Sequence, residues 1–194
     1  LLRSNTSVPC CAEVSGLEVP TGFESKRLLK MIPVIELKPY DVAIVGAGFV
    51  GSELARRLCV DYDVVALDIK PEPSVLTEMN IEYRMCDIRR YDEVKSKLGK
   101  PRVVAHTAII QIPAINETRK QGYDSNVTGT HNVCKAVEEE PETRGLILTG
   151  SWHVFGERGY TGFIDDSYGY RPDKVEERAR LYVISKMVQE GIVR

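Results

Sequence analysis

The sequence predicts an α/β fold built on a doubly wound parallel sheet of five or more strands, and three observations carry that prediction. From Tyr40 onward, short apolar runs alternate with segments whose apolar residues recur at helical spacing. The first run closes on Gly46-Ala-Gly-Phe-Val-Gly51, a glycine-spaced turn. The second closes on an acid, Asp68.

Each element follows in order. Asp41 to Val45 is continuously apolar after its first residue, the pattern of a strand buried on both faces. Ser52 to Val60 places Leu54, Ala55, Leu58 and Cys59 on one helical side. Val64 to Leu67 is the second strand, and Pro71 and Pro73 break the chain before a short helix over 74–79. Ile81 to Cys86 is the third strand, ending at Asp87, with a helix over 91–98. Arg102 to Thr107 is the fourth strand, and a long helix covers 123–139 with Val127, Val133, Cys134 and Val137 on its apolar side. Gly145 to Thr149 is the fifth strand. A stretch rich in Gly and Tyr then leads to a final helix from about Val175 to the C-terminus. Strands alternating with helices in this way make βαβ units.

Composition narrows the function classes. The chain has 194 residues, 43% hydrophobic, enough to bury a core. Its 26 basic and 28 acidic side chains leave a net charge of −2, which gives no field for nucleic acid or an anionic membrane. No apolar run approaches the roughly 18 residues a membrane span needs. The five cysteines (Cys10, Cys11, Cys59, Cys86 and Cys134) are odd in number and include no Cys-x-x-Cys, so reduced thiols and a cytoplasmic setting are expected. In that setting the sequons at Asn5, Asn116 and Asn126 are chance matches. His106, His131 and His153 form no metal-ligand spacing, and each is expected to be structural, with no metal bound. Residues 1–39 carry Pro9, Pro20, Pro33 and Pro39, lack a sustained period and show no signal-peptide pattern. They are expected to be an extension preceding a catalytic domain over 40–194.

The glycine turn carries the first chemistry. Gly-x-Gly-x-x-Gly between a strand and a helix lets Gly46 turn tightly, Gly48 admit a pyrophosphate, and Gly51 pack the helix against the strand. Phe49 and Val50 lie inside the loop, at the helix N-terminus that faces the phosphates. Asp68 lies 68 − 46 = 22 positions after Gly46, close to the roughly 20 expected of the acid that binds ribose hydroxyls. Ile69 follows it beside the adenosine. A carboxylate there repels a 2′-phosphate, so the expected cofactor is NAD.

A proton-transfer group is harder to find. Tyr-x-x-x-Lys sets a phenol and an ammonium one helical turn apart. Bringing a phenol from its reference pKa of about 10 to about 7 takes roughly 4 kcal/mol, which a neighbouring ammonium and a positive nicotinamide supply together. Nine tyrosines and eleven lysines in 194 residues give about 0.5 chance matches, and the chain has three: Tyr91/Lys95, Tyr170/Lys174 and Tyr182/Lys186. Sites in open α/β sheets lie at the carboxyl ends of the strands. Tyr91/Lys95 falls after strand three, on the adenine side, and Tyr170/Lys174 contains Pro172. Tyr182/Lys186 follows strand five and Ser151, and is selected.

Seven signatures in order now resemble those of the extended short-chain dehydrogenases/reductases, the NAD-dependent epimerase/dehydratase group, over residues 41–194. They are Val45-Gly-Ala-Gly-Phe-Val-Gly51, Asp68, Cys86-Asp-Ile-Arg89, Ala105-His-Thr-Ala108, Asn126-Val-Thr-Gly-Thr-His-Asn-Val133, Thr149-Gly-Ser-Trp-His-Val-Phe-Gly156 and Tyr182-Val-Ile-Ser-Lys-Met-Val-Gln-Glu190. The resemblance implies a Rossmann-type sheet. It implies that Asp87 and Ile88 hold the adenine end, that His106, Thr107 and Ala108 line the cofactor cleft, and that Asn126 supports the site backbone and cofactor. It implies Ser151 as the catalytic serine, Tyr182 as acid/base and Lys186 on the nicotinamide ribose.

Three departures stand out. Val45 replaces the family's first loop glycine, Thr107 replaces an apolar residue, and the 156–171 loop is long. Trp152-His153 stands where 4,6-dehydratases carry an acidic pair, which disfavours water elimination. The expected function is therefore NAD-dependent, tyrosine-assisted hydride transfer at a secondary hydroxyl of a small-molecule substrate, by resemblance a nucleotide sugar, in an epimerase or dehydrogenase. A non-catalytic NAD-binding regulator and a steroid- or flavonoid-type reductase are the alternatives. Homodimerisation through the long and last helices is implied by the resemblance alone. Five strands fall short of the usual six, so the remaining strands and the substrate lobe are expected to be missing at the C-terminal side.

Overall fold

The computed structural model describes residues 39–160, 162–165 and 167–194. The expected N-terminal extension lies outside the described residues except for Pro39, which opens the first strand. Five strands, β1 (Pro39–Val45), β2 (Val64–Asp68), β3 (Glu82–Met85), β4 (Lys100–His106) and β5 (Gly145–Leu148), form one parallel sheet in the order β3-β2-β1-β4-β5. The order runs outward from β1 in both directions, so connections reverse between β1 and β4. Val45 pairs with Leu67 on one side and His106 on the other, which brings three strand ends to one level.

Alternation of side chains divides the core into two layers. Ala43 and Val45 of β1 join Val65, Leu67 and Val104 on one face. That face is covered by α3 (Tyr91–Lys97) and α6 (Thr130–Glu138) through Val94, Val133 and Ala136. Ile44, Val64, Ala66 and Ala105 take the opposite face, under α1 (Phe49–Leu58) and α2 (Ser74–Glu78) through Ala55 and Leu76. Burial on both sides is why the strands read as unbroken apolar runs.

Two helices differ from the sequence reading. The long helix is continuous from Arg119 but contains a π turn over Asp124–Gly129, between α5 (Arg119–Tyr123) and α6. A one-turn helix, α4 (Ala114–Glu117), precedes it. The last helix, α7 (Arg180–Val193), starts five residues later than the apolar pattern suggests. Val175 and Glu176 are extended instead. Val175 packs on Ala179 and Val183, while the Glu176 amide donates to a Glu157 carboxylate oxygen at 2.7 Å.

Cys59, Cys86 and Cys134 are free thiols, and burial pushes Cys86 up to about 11. Among the described residues no helix is long and apolar enough to cross a membrane.

Leu98 closes α3 at 2% exposure and belongs to the first core layer, away from the strand ends. Leu98→Ala should cost about 2–5 kcal/mol of stability. Urea unfolding measures it as a lowered midpoint with an unchanged slope.

Candidate functional site

The strand ends at the switch point build a cleft of about 480 Å³. Gly46, Gly48 and Phe49 border it, together with Asp68, Ile69, Asp87, Ile88, Thr107 and Ala108. Gly46 has φ +104°, and a Cβ there would lie 2.4 Å from the Ala108 amide nitrogen. Only glycine fits that turn. A Cβ on Gly51 would meet the Gly46 carbonyl oxygen at 1.8 Å, so α1 approaches the loop as closely as backbone allows. Gly48 differs, because a Cβ on it would meet nothing within 4 Å. It is the N-cap of α1 without a side-chain cap, which leaves first-turn amides open to an anion. An open cradle at an uncapped helix start fits a pyrophosphate.

Thr107 explains one departure noted above. Its hydroxyl donates to the Gly46 carbonyl at 2.5 Å and tethers the end of β4 to the glycine loop. The backbone amides of Thr107 and Ala108 both donate to the Val45 carbonyl, at 2.8 and 2.9 Å. Val50 is 54% exposed on the outer side of α1, and Gly51 lies beneath the loop, so neither borders the cleft.

At the adenosine end, Asp68 accepts the Lys70 amide through one oxygen at 2.9 Å. Asp87 is tied to Arg89, whose guanidinium donates to both carboxylate oxygens at 2.6–3.1 Å and holds the acid below its ordinary pKa. Ile88 is clamped from the long helix. Asn132 donates to its carbonyl at 2.9 Å, and the Ile88 side chain fills the space where Gly129 lacks a Cβ.

Behind the cleft lies a buried polar junction. Asn126 accepts the Ile110 amide at 2.7 Å, donates to the Ile110 carbonyl at 2.9 Å, and donates to the Ser185 hydroxyl of α7 at 3.1 Å. The Thr130 hydroxyl donates to the Asn126 carbonyl at 2.8 Å. It meets His106 Nε2 at 2.9 Å and accepts from Gln189 of α7 at 2.8 Å. His106 is fully buried, and desolvation, then the Lys186 charge, lowers its pKa to about 4, so the ring is neutral. It therefore holds the strand end from behind, and of residues 106–108 only Thr107 and Ala108 border the cleft. Thr130, Ser185 and Gln189 escaped the sequence reading. The legible signal was the polar stripe Tyr182, Ser185, Lys186, Gln189 at i, i+3, i+4, i+7 of one helix.

Of the three groups selected for chemistry, Ser151 follows β5 while Tyr182 and Lys186 stand on α7, and none of them borders the cleft. Lys186 is only 2% exposed, and its ammonium donates to the Thr149 carbonyl at 2.6 Å, two residues before Ser151. Desolvation lowers its pKa to about 8. Ser151 caps the turn Trp152–Phe155, and His153 of that turn meets the Tyr182 ring edge-on at 5.9 Å between centroids. The two rejected pairs are occupied elsewhere. Tyr91 and Lys95 both bind Glu139, while Tyr170 donates to Glu190 at 2.5 Å.

Two tests follow. Gly48→Ala should fold normally and weaken dinucleotide binding, whereas Gly51→Ala should lower the melting temperature; calorimetric titration and thermal melts read the two. For Lys186 the folded pKa is depressed, so above about 8 the unfolded chain binds more protons and stability rises with pH up to about 10.5. The rise should vanish from pH-dependent urea midpoints in Lys186→Met.

The NAD dependent epimerase/dehydratase family model matches residues 42–194. The chain is 30% identical over 133 residues to (S)-8-oxocitronellyl enol synthase of Camptotheca acuminata, covering 64% of this chain and 31% of that protein. It resembles UDP-glucose 4-epimerase of Thermus thermophilus in complex with NAD, with TM-score 0.66, 19% identity, 79% of this chain and 49% of that one. It also resembles the Stenotrophomonas maltophila UDP-glucose-4-epimerase with bound NAD and formylated UDP-arabinopyranose, with TM-score 0.65, 20% identity, 79% of this chain and 47% of that one. The chain thus spans about half the length of these solved structures and about a third of the curated relative. The glycine-loop cleft, its position at the switch point and the matched 42–194 segment lead to one conclusion: the chain belongs to the NAD-dependent epimerase/dehydratase family, and its cofactor is NAD.

Proposed function

We propose that this site carries out reversible hydride transfer at a secondary hydroxyl of a nucleotide sugar, as an epimerase or dehydrogenase. The observations that carry the reading are the Lys186 bond to the Thr149 carbonyl, two residues before Ser151, and the Tyr182 ring against His153 of the turn that Ser151 caps. Bound NAD supplies the hydride acceptor and donor. Gly46, Gly48 and Phe49 hold its pyrophosphate, with Gly51 packing α1 under the loop, Asp68 and Ile69 hold its adenosine ribose, and Asp87 and Ile88 its adenine. Thr107 and Ala108 wall its nicotinamide half, with His106 and Asn126 behind them.

Tyr182 takes the substrate hydroxyl proton as general base and returns it as general acid. Ser151 hydrogen-bonds the oxygen that becomes a carbonyl, where donors are worth most. Lys186 fixes the ribose and anchors the Thr149 carbonyl, so helix and serine turn keep one spacing. The two UDP-sugar epimerases of similar fold support the substrate class. A homodimer would use α6 and α7, where Ile184 and Val188 stay exposed at 43% and 38%.

A second reading, a reductase of an apolar carbonyl compound, is favoured by Ile109, Ile110 and Ile112 along the cleft and by the enol synthase relative. Absorbance at 340 nm separates the two with a panel of UDP-sugars against apolar ketones and aldehydes. Tyr182→Phe should lower turnover about 10²–10⁴-fold with NAD affinity retained. Undiminished turnover in that variant removes Tyr182 from the chemistry.

A further inference from the structure

The turn after β5 holds a second set of titratable groups that the reaction described above does not use. His153 Nδ1 lies 3.3 Å from the Ser151 hydroxyl oxygen. Its Nε2 lies 3.3 Å from a Glu157 carboxylate oxygen. The other Glu157 oxygen accepts the Glu176 amide at 2.7 Å, and the Glu157 side chain is only 14% exposed. The carboxylate is therefore held in place from both sides. The imidazole is held as well, between the Trp152 ring at 4.1 Å and the edge of Tyr182 at 5.9 Å.

A fixed carboxylate on one ring nitrogen selects the tautomer. With its proton on Nε2, toward the Glu157 oxygen 3.3 Å away, the ring leaves Nδ1 facing the Ser151 hydroxyl. The arrangement is a line of polar contacts from the serine to an acid: Ser151 Oγ, His153, Glu157. We propose that His153, held by Glu157, is a proton-relay and positioning residue for this site, an inference that rests on the hydride-transfer reading above. Tyr182 takes the substrate proton and passes it to Ser151 Oγ as the serine's own proton moves to His153 Nδ1. The Nε2 proton moves to Glu157, which gives it to solvent. One proton enters the line and one leaves, and no electrons move. The return path runs in reverse when the carbonyl is reduced.

Ring NMR of ¹⁵N-labelled full chain loaded with NAD tests the line without any turnover. The expected spectrum shows His153 as the Nε2–H tautomer, moving toward Nδ1–H in Glu157→Gln. An Nδ1–H tautomer in the unmutated chain overturns the relay. In the kinetic arm, with UDP-glucose as probe, His153→Gln should slow turnover about 10- to 100-fold with NAD affinity unchanged. His153→Ala should be equally slow and recover with added imidazole, a rescue that a packing role does not give. Full activity in His153→Gln overturns the proposal. Failure of the unmutated chain on every UDP-sugar counts against the substrate reading, and the tautomer then decides the relay alone.

Discussion

The buried hydrogen bonds of Asn126 and Thr130 hold the site together. Both residues are fully buried, and each buried polar group left unpaired costs about 1–3 kcal/mol. Asn126 binds both backbone groups of Ile110, and Thr130 collects His106 and Gln189. The junction therefore ties the loop after β4, the long helix and α7 together. Moving α7 would strand several buried groups at once. Tyr182 and Lys186 ride on that helix, so the polar junction, together with the packing of Val183 on Ala179 and Val175, sets where they stand.

The end of β4 shows how few residues do this. His106 points back into the junction, Thr107 holds the glycine loop, and Ala108 borders the cleft. Gly46 and Gly51 complete the contact, because the loop, α1 and Ala108 approach within distances no Cβ permits. The π turn does similar work in the long helix. It falls at Asp124–Gly129 and contains Asn126, and it leads into Thr130 and Asn132 on the buried side. One helix thereby holds Ile110 through Asn126 and Ile88 through Asn132.

Much of the fold is legible in the chain. Val42 to Val45, Val64 to Leu67 and Val103 to Ala105 read as strands because burial on both faces leaves no polar alternation. The glycine loop and Asp68 are legible because their requirements are local, a tight turn and a carboxylate at a strand end. The start of α7 is not. Apolar spacing suggests Val175, but Val175 is buried in extended backbone against its own helix, and the Glu176 amide is bonded to Glu157. Those partners are distant in sequence, so periodicity carries no trace of them. The motif puts His106 in the cleft, while burial of its ring puts it behind.

Spacing along the chain was enough for the alternation of strands and helices and for the dinucleotide turn and its acid. A single sequence records such spacing in full. Only the folded chain reveals that Thr107 serves the glycine loop, that Gln189 and Ser185 complete a buried junction, and that His153 lies between Ser151 and Glu157. Each of these depends on which side chain a folded backbone brings within about 3 Å of another. Distances of that kind follow from sheet order, helix phase and burial acting together, and no spacing along the chain encodes them.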